Sequence, residues 1–141
     1  MQQTVMINSR PQDAYRRQDV LTANSVDLIV MLYDALKKNL ILGKRGIAKQ
    51  DIDSAHRHLM KAQEIVTALI GSLDMNYQIS EDLLAIYDFI IRSTEEANVH
   101  KDAAAIEPLI EIVEELRSAW DEIRSAGKGL SCLPDLSEGL A

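Results

Sequence analysis

Few side chains in this 141-residue chain are of the kinds that do chemistry: His56, His58 and His100, the single Cys132, and several groups of carboxylates. A metal held inside a helical bundle needs ligands that share a face, as Glu-x-x-His pairs do. His56 and His58 are two residues apart and so face different ways on a helix, His100 falls near a turn, and no Glu-x-x-His pair occurs. The pattern predicts no bound metal. Cys132 has no second cysteine to pair with and no neighbouring base to activate it, so neither a disulfide nor a reactive thiolate is expected. Glu95 and Glu96, and likewise Glu111, Glu114 and Glu115, fall opposite apolar stripes, where a solvated charged face accounts for them. There is no glycine-rich phosphate loop and no Ser/His/Asp grouping, so no cofactor is expected either.

One chemical alternative stays open at this point. His58-Leu59-Met60-Lys61-Ala62 is similar to the His-x-x-Lys-Gly core of histidine phosphotransfer domains, which are also four-helix bundles and use an exposed histidine. Ala62 stands where that motif has glycine. Under this alternative the chain is a signalling carrier with covalent chemistry at His58.

The elements that must position these residues are helical. Ala, Leu, Ile, Glu and Lys are abundant, whereas Phe and Trp occur once each and Pro three times. Asn24 is a good N-cap for a first long helix over about 25–48, with Asp27 placed to reach back to it. Ile29, Leu32, Tyr33, Leu36 and Leu40 make one seam of that helix, while Leu28, Met31, Ala35 and Leu42 form a second apolar set pointing elsewhere. A helix apolar on so many sides must be covered on many sides. Asp51 caps the next helix, with Ile52, Ala55, Leu59, Ala62, Val66, Leu69 and Leu73 at alternating steps of three and four. Ser80 is the expected cap of a third helix carrying Leu83, Tyr87, Ile90, Thr94 and Ala97. Asp102 is the expected cap of a fourth, with Ile106, Leu109, Val113, Leu116, Trp120 and Ile123. Pro108 predicts a kink or a loose first turn. Four long helices joined by short turns predict an all-α, antiparallel up-down four-helix bundle. A short helical segment over residues 11–21 precedes it, giving a domain over 1–126 and a mobile C-terminal tail over 127–141.

Val66, Leu69, Leu116 and Trp120 sit on the cleanest stripes and are assigned to the core. Ile65, Leu84 and Ile91 lie off them and are expected to be partly exposed. That surplus apolar surface fits a weak homodimer, packing of the N-terminal segment, or a partner's helix. A net charge of −7, from fifteen Lys and Arg against twenty-two Asp and Glu, suits neither nucleic acid nor an anionic membrane. No hydrophobic run is long enough to insert in a bilayer, and no signal-peptide pattern opens the chain, so the cytoplasm is the expected compartment.

Five stretches in order carry a resemblance to a known family. They are Val20-Leu21-Thr22-Ala23-Asn24-Ser25 followed by Met31-Leu32-Tyr33-Asp34; Lys61-Ala62-Gln63-Glu64-Ile65-Val66 with Ser72-Leu73-Asp74; Leu84-Ala85-Ile86-Tyr87-Asp88-Phe89-Ile90-Ile91-Arg92; Glu96-Ala97-Asn98; and Ala119-Trp120. Over about residues 14–124 the chain resembles the flagellin-specific export chaperones (FliS). The resemblance implies a chaperone, not an enzyme. It would hold the C-terminal segment of flagellin, prevent premature polymerisation, and present its cargo to a flagellar export gate protein. An amphipathic segment of that kind would lie on the bundle as a helix in a groove. Tyr15, Val20, Leu28, Met31, Leu32, Ile65, Leu69, Leu84, Tyr87 and Ile91 are the expected flagellin-binding residues, with residues 11–21 a movable cover that carries Tyr15 and Val20.

Overall fold

The computed structural model describes residues 25–129, with side chains over 26–126; the expectations for the N-terminal segment, Tyr15, Val20, Asn24, Cys132 and residues 130–141 lie outside the described residues. Helix α1 spans Ser25–Ala48, α2 Ile52–Gly71, α3 Gln78–His100 and α4 Glu107–Gly129, with a 3-10 turn at Ala103–Ala105 before α4. Connections this short force consecutive helices to run antiparallel. The result is the four-helix bundle, in which α1 packs on both α2 and α4, α2 packs on α3, and α3 and α4 touch only lightly.

The turns follow local chemistry. At the end of α1, Gln50 adopts a left-handed conformation with φ 61°, so that Asp51 N–H reaches Gly46 O at 2.8 Å and Gln50 N–H reaches Ile47 O at 3.0 Å. These bonds satisfy carbonyls that a helix end leaves orphaned. Asp51 then caps α2, its carboxylate accepting from Ser54 N–H at 3.2 Å.

Two boundaries differ from expectation. Helix α3 starts at Gln78 after Tyr77, which has no side-chain cap, and Ser80 is a buried residue inside the first turn, its hydroxyl donating to Asp74 O at 2.6 Å. Asp102 caps the 3-10 turn instead of α4, accepting from Ala105 N–H at 3.3 Å. Pro108 is therefore the second residue of α4, where its missing N–H has no intrahelical carbonyl to lose, and the predicted disruption becomes an ordinary helix start. At the other end α4 runs through Gly129.

The core is close to the predicted seams, with a rotation in α1. Val26, Val30, Tyr33, Leu36 and Leu40 are buried, whereas Ile29 and Leu32 are half-buried at its margin. In α2, Ala55, Leu59, Ala62, Ile65, Val66 and Leu69 are buried, while Ile52 is exposed and Leu73 half-buried. The predicted α3 line Leu83, Tyr87, Ile90, Thr94 and Ala97 is wholly buried, and α4 contributes Ile106, Leu109, Ile110 and Val113. Leu116 and Trp120 are half-buried against the core instead of within it.

Helices α1 and α2 approach closely at two glycines. A Cβ on Gly46 would sit 2.8 Å from the backbone nitrogen of Ala55, and one on Gly43 would sit 2.5 Å from a Leu59 methyl. Alanine ordinarily gains about 1 kcal/mol over glycine in a helix. At Gly46 the obstacle is backbone, which cannot rotate away, so Gly46→Ala is expected to lose roughly 1–3 kcal/mol. A thermal melt followed by circular dichroism checks this; an unchanged or higher midpoint would contradict the close approach.

Candidate partner-binding surface

Two of the three histidines are engaged structurally. His56 and His58 face different neighbours, as their spacing predicts. Asn98 on α3 donates its amide to His56 Nδ1 at 3.1 Å, and the amide's orientation is fixed because Lys101 Nζ donates to Asn98 Oδ1 at 2.9 Å. His56 is thus an acceptor at Nδ1. His58 is the opposite: Asn39 on α1 donates its amide to Ala35 O at 2.8 Å, which turns its Oδ1 toward His58 Nδ1 at 3.1 Å and makes that nitrogen the donor. The phosphotransfer alternative finds no support here. It needs a freely presented imidazole, and His58 is half-buried and tied to α1 through Asn39. Among the described residues no three His, Cys, Asp or Glu side chains are grouped so as to hold a metal.

Across the middle of the bundle, Tyr33 of α1 and Tyr87 of α3 meet hydroxyl to hydroxyl at 2.5 Å, their rings tilted by 48° with centroids 6.5 Å apart. Both hydroxyls have their pKa raised above the ordinary tyrosine value, chiefly because burial penalises the phenolate. At Tyr33 the proximity of Tyr87 adds to the rise, and the Trp120 side chain works against it. This pair is a diagonal polar tie that sequence spacing did not reveal, and it removes Tyr87 from the expected binding surface.

The tie sets a pH dependence. A group whose folded-state pKa is raised binds its proton more tightly when folded, so its stabilisation is complete below the unfolded value of about 10 and is lost as pH climbs through the folded value. Stability is therefore expected to fall steeply above about pH 10. Tyr33→Phe with Tyr87→Phe should flatten that fall while costing little at neutral pH, because both hydroxyls leave together. Chemical denaturation of both proteins from neutral to alkaline pH measures it; parallel curves would contradict the assignment.

Among the charged side chains of the surface stand several large apolar ones. Leu28 is 51% exposed and Met31 63%, on the outward side of α1, and Phe89 stands out from α3 at 49%. Leu32, Leu84 and Ile91 are half-buried at the helix margins. Where α3 and α4 barely touch, Ile86 on one side and Ile112, Leu116 and Trp120 on the other are packed against the core without being covered by it. Of the ten expected binding residues, five are thus at or near the surface: Leu28, Met31, Leu32, Leu84 and Ile91. Ile65, Leu69 and Tyr87 are buried at 7%, 0% and 1%, so the expectation that Ile65 is partly exposed is overturned. Helix α2 lies between α1 and α3 and buries Ile65 together with its neighbour Val66. Leu116 and Trp120, assigned to the core from their spacing, are only half-buried, and Phe89 was not among the expected binding residues.

A helical bundle that leaves large apolar side chains such as Leu28, Met31 and Phe89 uncovered belongs to the class of binding modules. Comparison with known proteins places it within that class. The family model "Flagellar protein FliS" matches residues 6–127. The flagellar secretion chaperone FliS of Bacillus subtilis (strain 168) is 30% identical over 117 residues, covering 83% of this chain and 88% of its own length. The flagellar secretion chaperone FliS of Vibrio cholerae is 34% identical over 116 residues, covering 78% and 85%. That of Salmonella typhimurium is 30% identical over 107 residues, covering 74% and 79%. This chain belongs to the FliS family.

Proposed function

We propose that this protein is a flagellar export chaperone that binds the C-terminal segment of flagellin, prevents its premature polymerisation and delivers it to the export apparatus. The observation that carries this reading is the uncovered apolar surface of the bundle, on which Leu28, Met31 and Phe89 are exposed. Membership of the FliS family supports a flagellar protein as the cargo, and the exposure of apolar side chains supports the positions proposed for it. An amphipathic segment docking on Leu28, Met31 and Leu32 of α1, and on Leu84 and Ile91 of α3, buries surface on both partners that water otherwise penalises. Binding of this kind makes no covalent bond and asks no chemistry of His56 or His58, whose ring nitrogens are hydrogen-bonded to Asn98 and Asn39.

Co-purification tests it. Full-length flagellin should be retained by the immobilised chain, and flagellin lacking its C-terminal segment should not. Stoichiometric chain should also suppress the rise in light scattering that accompanies flagellin assembly. Retention independent of the C-terminal segment, or assembly unaffected by the chain, would reject the reading.

A further inference from the structure

The outward face of α1 carries a second seam that the bundle leaves unpartnered. Leu28, Met31, Ala35, Lys38, Leu42 and Arg45 follow one another at steps of three and four, the spacing by which one helix receives another. Leu28, Met31, Lys38 and Arg45 are exposed, and Ala35 and Leu42 are half-covered. The seam is apolar in its first half and cationic at intervals of seven in its second. Around Lys38, Leu42 and Arg45 the surface is concave, with Asp34, Lys37 and Ile41 as the other walls.

The same helix shows what such cations take. One position back, Lys37 and Lys44, also seven apart, are met by Glu114 at 2.7 Å and by Glu107, two carboxylates seven apart on the antiparallel α4. Lys38 and Arg45 repeat this arrangement toward the open side, and no carboxylate among the described residues forms an ion pair with either. A second copy of α1 is a poor match, because it would set these cations against Leu28 and Met31 or against each other.

We propose that Lys38 and Arg45 form a charged clamp that fixes the register of a cargo helix lying along the outer seam of α1, and that this helix presents two carboxylates seven residues apart next to its apolar stripe. The inference rests on the flagellin-binding reading and adds the charge pattern the bound segment must carry. Leu28, Met31, Ala35 and Leu42 supply contact area. The clamp decides direction and register, since a shifted helix leaves its carboxylates without partners.

Titration of the full chain with a synthetic peptide of flagellin's C-terminal segment, at low salt and at about 0.5 M salt, tests the clamp. Lys38→Glu with Arg45→Glu should weaken binding about tenfold or more at low salt, with the difference shrinking at high salt. Replacing the peptide's Asp and Glu by amides should erase the difference. Lys38→Gln with Arg45→Gln, which adds no new charge, should lower the salt dependence without moving the thermal midpoint. If the wild type binds and the reversed variant binds equally at low salt, the clamp is wrong while the chaperone reading stands. If the wild type does not bind the peptide, the chaperone reading itself has failed. Sedimentation showing a wild-type dimer that the reversed variant dissolves would assign the seam to a second copy and overturn the proposal.

Discussion

Ile65→Asp is expected to unfold the bundle. Ile65 is 7% exposed and belongs to the same buried cluster as Val66, Leu69 and Tyr87, so a carboxylate there has no water and no cation to meet it. Burying an unpaired charge costs several kcal/mol, against a total stability of about 5–15 kcal/mol for a domain of ordinary size. Circular dichroism of the purified variant should show lost helicity, or a midpoint lowered by tens of degrees. The same substitution at Ile91, half-buried at the margin of α3, should leave a cooperative melt in place. If Ile65→Asp melts like the wild type, Ile65 lies on the surface after all and belongs with the binding residues.

The contrast between these isoleucines shows what spacing can and cannot report. Both lie off the line of threes and fours, and both were expected to be partly exposed. A line of that kind describes a helix with one neighbour. Helix α2 has α1 on one side and α3 on the other, which widens its buried stripe until it includes Ile65. For the same reason α1, between α2 and α4, buries Val26 and Val30 and leaves Ile29 and Leu32 at the margin. The α3 line needed no correction. The four helices and their order were legible because the periodicity is sustained and Asp51 is a strong stop-and-start signal. Ser80 and Asp102 misled because a hydroxyl or carboxylate near a turn has several backbone groups within reach, and sequence does not say which it takes. The Tyr33–Tyr87 contact depends on the register of α1 against α3, a tertiary quantity with no local signature.

The second large effect is on binding. Leu28→Asp with Met31→Asp should reduce affinity for flagellin's C-terminal segment by about a hundredfold or more, because a few apolar anchors carry most of the energy of such an interface and each becomes a desolvated charge. The fold should not notice. At 51% and 63% exposure these side chains contribute little to the core, and surface substitutions of this kind usually stay within about 0.5 kcal/mol. Parallel melts and fluorescence-anisotropy titrations separate the two quantities. Full affinity in the double variant would move the cargo elsewhere, the open side between α3 and α4 with Leu116 and Trp120 being the next surface to substitute.

The central claim, that uncovered apolar surface on the bundle is there to hold flagellin's C-terminal segment, is tested most directly by isothermal calorimetry of the full chain with that segment at several temperatures. Burial of apolar surface by a segment that folds as it binds predicts saturable one-to-one binding with a clearly negative heat-capacity change. No heat of binding at any temperature, or binding whose enthalpy does not change with temperature, would contradict it.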